Sequence, residues 1–168
     1  MTTVYLLGGL VIALYAIATY TDIREFRIPN WVSVGLILAY IIRMLTMPEF
    51  VGWSEVGFDL AAFAAVLVVG FGLYALAWFG AGDVKLMAAG TLFVTHSTAL
   101  EYVLTTMLLG GAVALVILII SQVRKAFPVL AAKTPWAEGF SEYMPYGIAI
   151  SVSGIIWAVE WIHSQMPV

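Results

Sequence analysis

Two aspartates stand out against an otherwise oily chain. Asp22 falls in "TYTDIREFRIPNW" (residues 19–31) and Asp83 in "FGAGDVKL" (residues 79–86), each set between long apolar runs. An ionisable side chain at the edge of hydrocarbon is a functional candidate, because an unpaired charge there is costly. Two carboxyls brought close together would share one proton, since like charges disfavour double ionisation. The carboxylate could then polarise a water while its protonated partner hydrogen-bonds a substrate carbonyl. That is peptide-bond hydrolysis with neither metal nor covalent intermediate. A plainer reading pairs Asp83 with Lys85 or an Arg and lets Asp22 cap a short helix, both charges reaching water at the boundary.

Other chemistries find less support. With no Cys in the chain, disulfides, thiol catalysis and Cys-ligated metal are excluded. His96 and His163 fall towards the face opposite the aspartates, without an acidic partner set at metal-ligand spacing, so no metal site is expected. No Ser lies in a nucleophile-elbow pattern with a His on its side of the membrane. Gly80–Asp83 lacks the later Gly-Lys-Ser/Thr of a phosphate loop, and no cofactor is expected. A formal charge of -3 with 7 Lys and Arg leaves no basic stripe for nucleic acid.

The elements that must position the aspartates are membrane helices. Of 168 residues 63% are hydrophobic and 10% charged, with a mean hydropathy of +1.04, a composition that suits a surface facing lipid. Apolar segments cover 3–21, 31–47, 57–79, 84–98, 99–121 and 145–163. They predict an all-α polytopic membrane protein with six transmembrane helices in one domain, 1–168, because backbone at membrane depth must satisfy its own hydrogen bonds. The alternating polarity of a barrel is absent. Charged, bulky residues follow the first run, so it reads as a retained helix and not a cleaved signal. The fourth segment is short, and "VTHSTALEY" (94–102) supplies a break before the fifth.

Six spans put both termini on one side. Arg24, Arg27, Lys85, Arg124, Lys125 and Lys133 follow odd-numbered segments, and of the 7 basic residues only Arg43 lies near the other face. Positive charge concentrates on cytoplasmic loops, so both termini are expected outside and both aspartates at the cytoplasmic face. The segment between the fifth and sixth runs is expected on the same face, with Phe127, Leu130 and Trp136 touching lipid as an interfacial stretch or packing as an ordinary loop.

Asp22-Ile-Arg24-Glu-Phe-Arg27-Ile28-Pro29-Asn30 resembles the first-aspartate motif of the type IV prepilin peptidases. Gly80-Ala-Gly82-Asp83-Val-Lys85 resembles their second, Gly-x-Gly-Asp motif, and Pro145-Tyr146-Gly147-Ile-Ala149 a further family segment, although Ile148 stands where proline is common. The resemblance covers nearly the whole chain. It implies an aspartic endopeptidase with Asp22 and Asp83 catalytic, and Arg24, Arg27, Ile28, Pro29, Asn30, Gly80, Gly82, Lys85, Pro145, Tyr146 and Gly147 supporting the site or the substrate. In this reading the two Arg anchor the turn, Pro29 stops or bends the chain before the second helix, and Asn30 caps it.

The same resemblance implies the substrates: prepilins or pseudopilins of a bacterial inner membrane, relieved of a short basic leader just before their hydrophobic helix. Larger relatives carry a cytoplasmic insertion, often Cys-rich, associated with N-methylation. Only residues 22–30 separate the first two segments here and Cys is missing, so protease activity without methyltransferase activity is expected, as in the compact TadV/CpaA-like members serving Flp or tight-adherence pili. An archaeal preflagellin peptidase is the near alternative. From a different class, a small transport component could use the aspartates for protons or cations, and a membrane-assembly protein could use Gly70, Gly72, Gly110 and Gly111 for helix packing. The sequence leaves the oligomeric state open.

Overall fold

In the computed structural model, residues 2–47, 52–94, 98–126 and 145–164 are described. Among them every regular element is a helix: α1 (Thr2–Glu25), α2 (Asn30–Thr46), α3 (Trp53–Ala75), α4 (Ala81–Thr91), α5 (Ala99–Ala126) and α6 (Tyr146–Ser164). The all-α expectation holds, but the six helices are not six equal spans. Four of them, α1, α3, α5 and α6, are long and apolar enough to cross a membrane. α2 has 17 residues, and α4, with 11, rises only about 16 Å against a hydrocarbon core of about 30 Å. The expected fourth segment, 84–98, is therefore a helix that starts earlier and stops at Thr91. The break foreseen before α5 falls largely on residues 95–97, outside the described residues, as do His96, Lys133 and the whole 127–144 segment.

The short helix is the hub. α4 packs against α2, α3, α5 and α6, while α1 lies against α2 and α6, and α5 against α6. Val84 and the run Leu86–Thr91 are all buried, so the C-terminal part of α4 is enclosed by its neighbours, as an apolar stretch should be. Small residues allow this closeness. A Cβ on Gly90 would overlap the hydroxyls of Tyr15 and Tyr102, and one on Gly154 would overlap the Tyr15 ring. Outward, the bundle is apolar too: Leu45 and Leu108 are 77% and 75% exposed, a surface that lipid can cover but water cannot favourably wet.

Two helix ends at the aspartate side stop without glycine. α1 runs on through Glu25, so Asp22 lies inside its last turns and not in a loop. Phe26 then turns left-handed at φ 48°, and its N–H donates to the Asp22 carbonyl at 3.0 Å. α3 ends in a Schellman arrangement: Trp78 N–H donates to Leu73 C=O at 3.0 Å and Ala77 N–H to Tyr74 C=O at 2.9 Å, with Ala77 at φ 59°. Pro29 does what was expected, with extended angles at the start of α2. Asn30 does not: it is the first helical residue, and no side chain caps α2.

Candidate active site

Asp22 and Asp83 line one cleft of about 900 Å³ at the end of the bundle where α1, α3 and α4 meet. They reach it by different routes. Asp22 projects from the last turns of α1 and is only 5% exposed. Gly147, in the first turn of α6, lets it in: a Cβ there would lie 2.7 Å from Asp22 Oδ2 and 2.8 Å from Ile28 Cδ1, so any larger residue must push one of them away. The backbone N–H groups of Gly147 and Ile148 act on the Asp22 carboxyl, yet Oδ2 is left without a hydrogen bond of standard geometry to the described residues.

Asp83 occupies the third position of α4 and accepts from the Gly80 N–H at 3.3 Å, satisfying one of the donors a helix start leaves free. Burial is the main cause of a pKa raised to about 7, and the nearby Asp22 charge adds to it while the Gly80 donor opposes it. The influence of the Asp22 charge on Asp83 requires proximity, as the shared-proton chemistry does. Asp83 is thus a carboxylic acid over much of the range below neutrality.

Ile28 locks the two aspartate-bearing segments together. It is buried, and its Cβ would lie 3.1 Å from a Cβ added to Gly82, so it touches α4 through Gly82 and α6 through Gly147. A second tie crosses the cleft wall: Lys85 Nζ donates to Asn30 Oδ1 at 3.0 Å. Lys85 therefore links the starts of α4 and α2, and the Asn30 side chain, expected to cap a helix, receives it. Arg27 lines the cleft, but Arg24 does not; its guanidinium stacks 5.5 Å from the Tyr20 ring on the same helix. Pro145 is buried ahead of α6. Tyr146 lines the cleft with its ring 5.0 Å from that of Phe79, and the ring also packs against Gly110 of α5.

An aromatic wall goes beyond the residues anticipated from the sequence. Tyr74, Trp78, Phe79 and Phe26 add to the lining. The signal was the run "YALAWFG" (74–80) just before the glycines, which in an apolar segment is indistinguishable from a lipid-facing stretch. His163 bonds the carbonyl of Val159 one turn back, at 3.0 Å, near the far end of α6 from the cleft. Among the described residues no group of three or more His, Asp or Glu side chains is gathered where a metal could be held.

A polytopic helical protein with two acids in one cleft at the bundle's end is the class these features define. The chain belongs to the type IV leader peptidase family, whose model matches residues 9–115, more than half of the 168. No curated protein and no solved structure gives a match.

Proposed function

We propose that the protein is an aspartic endopeptidase that removes the short basic leader of prepilins or pseudopilins at the cytoplasmic face of the bacterial inner membrane, without N-methyltransferase activity. The observation that carries this is the meeting of Asp22 and Asp83, from separate helices, on one cleft. Family membership supports the substrate class. The distribution of the basic residues supports a single polytopic domain with the aspartates at the cytoplasmic face and both termini outside.

In this reading the carboxylate of the pair draws a proton from water as its oxygen adds to the scissile carbonyl carbon. The protonated partner donates to the oxyanion, and a proton passes to the amine as the C–N bond breaks. Asp83 is suited to hold the proton initially, because burial and the neighbouring Asp22 charge both raise its pKa, to about 7. Asp22, facing two backbone N–H groups, is suited to act as the carboxylate. The pair titrates as a unit, so the roles exchange between microstates. Lys85, Asn30, Ile28, Gly82 and Gly147 hold the geometry, and Arg27 and Tyr146 are placed to touch the substrate backbone.

The test is to incubate purified protein in lipid with a panel of full-length prepilins and map any new N-terminus by mass spectrometry. Asp22→Asn or Asp83→Asn should nearly abolish cleavage while membrane insertion and folding persist. Near-normal turnover by either folded variant would reject the mechanism, and cleavage lost to a chelator but restored by zinc would redirect it to metal.

A further inference from the structure

Beside the acid cleft runs a second cavity of about 330 Å³, between α3 and α5 with Met87 of α4 contributing to its lining. Every side chain lining it is apolar. It exists because the short α4 stands between its long neighbours: α3 packs on α4, and α5 lies mainly on α6. On the α3 side it extends from Ala62 to Leu73, a rise of about 16 Å, or roughly three turns of a helix. Ala62 and Ala65 on one wall and Ala99 on the other are small residues of the kind that let helices approach closely in a membrane.

Its position gives it a meaning. On α3 the groove ends at Leu73, and the next residue, Tyr74, lines the acid cleft. On α5 it ends at Met107, one turn before Gly110, which supports the cleft residue Tyr146. On its α3 side the groove therefore runs on into the wall of the cleft, and on its α5 side it leads to the residue that backs Tyr146. A lipid chain has no need of that continuity, whereas a substrate whose apolar helix begins just after its scissile bond does. We propose that the groove between α3 and α5 seats the N-terminal part of the substrate's hydrophobic helix, so that the preceding extended residues enter the cleft between Asp22 and Asp83. This rests on the leader-peptidase reading and adds a docking site to it. A seat along the helix would fix the distance from helix start to acids, selecting the peptide bond by position as well as by local sequence.

Because the chain has no Cys, single cysteines report cleanly. In the Asp83→Asn background, Val66→Cys in the groove should crosslink to a cysteine in the first turns of the apolar helix of a prepilin that the wild-type protein cleaves. Val68→Cys, on the same helix but 72% exposed outside the groove, should crosslink at least tenfold less. Filling the groove with Val103→Trp should lower kcat/KM for the full-length prepilin at least tenfold relative to a peptide of the same prepilin cut short before its apolar helix. Leu118→Trp, on a lipid-facing part of α5, should not change that ratio, and cleavage of the short peptide reports that Val103→Trp is folded. Equal crosslinking at 66 and 68 would mean that lipid fills the groove, and this or an unchanged ratio in Val103→Trp would overturn the docking site while the peptidase stands. Cleavage of no prepilin by the wild-type protein would instead remove the peptidase reading and the groove's role with it.

Discussion

At the residue scale the chemistry turns on how a proton is kept between two acids. With its pKa raised to about 7, Asp83 is protonated through mildly acidic pH and ionises as the medium passes neutrality. Cleavage that needs one protonated acid should therefore fall above about pH 7, approaching tenfold per pH unit. A pH profile of kcat/KM in detergent or lipid checks this. The sign for stability is the same: a carboxyl whose folded pKa lies above its usual value contributes most below that usual value, and the contribution is lost as pH rises towards 7. Ile148 offers a second residue-scale test, because its backbone N–H acts on the Asp22 carboxyl. Ile148→Pro lies in the first turn of α6, where proline is tolerated. The variant should fold, yet lose about tenfold in cleavage for want of one charged hydrogen bond. The two aspartates were legible from their types and motifs. That Arg24 turns away onto Tyr20 while Lys85 reaches Asn30 was not, since residues two apart in a motif leave a helix in different directions.

At the element scale, helix existence was readable and helix ends were not. Hydropathy located all six helices among the described residues, but it merged the polar last turn of α1 into a presumed loop and lengthened α4 beyond its 11 residues. The reason is physical: a charged residue such as Asp22 ends an apolar run without ending a helix when its side chain is received by a neighbour, here through Gly147. The stop signals were obscured as well, because the left-handed positions that usually hold glycine are filled by Phe26 and Ala77. Such a conformation costs a residue with a Cβ about 1–2 kcal/mol, part of which glycine returns through the entropy it loses on folding. Ala77→Gly should therefore stabilise the fold by up to about 1 kcal/mol, visible as a higher thermal midpoint in detergent. An unchanged or lower midpoint would mean that the α3–α4 turn carries no such strain.

Across the whole molecule, the acids near one end have a polar counterpart that the mechanism does not use. Tyr40 of α2, 2% exposed, donates to Asp59 Oδ2 of α3 at 2.7 Å. Arg43 lies close enough to Asp59 to interact with its charge and stacks 5.3 Å from the Trp161 ring of α6. In sequence, Asp59 and Arg43 read as charges at the outer ends of their runs, and nothing in the spacing said that they meet, because residues sixteen positions apart on separate helices have no shared periodicity. Together they tie α2, α3 and α6, and α3 otherwise packs chiefly on α4. Since α4 carries Asp83, the cluster steadies the scaffold while staying clear of the chemistry. Tyr40→Phe preserves the ring, including its edge contact with Phe93 at 6.1 Å, but withdraws the donor from a buried carboxyl. Loss of such a bond costs about 1–3 kcal/mol. The variant should unfold at lower temperature in detergent yet cleave prepilin at near wild-type turnover per folded molecule. A tenfold fall in that turnover with no loss of stability would instead tie the cluster to the catalytic cycle, and the division between a reactive end and a structural end would have to be abandoned.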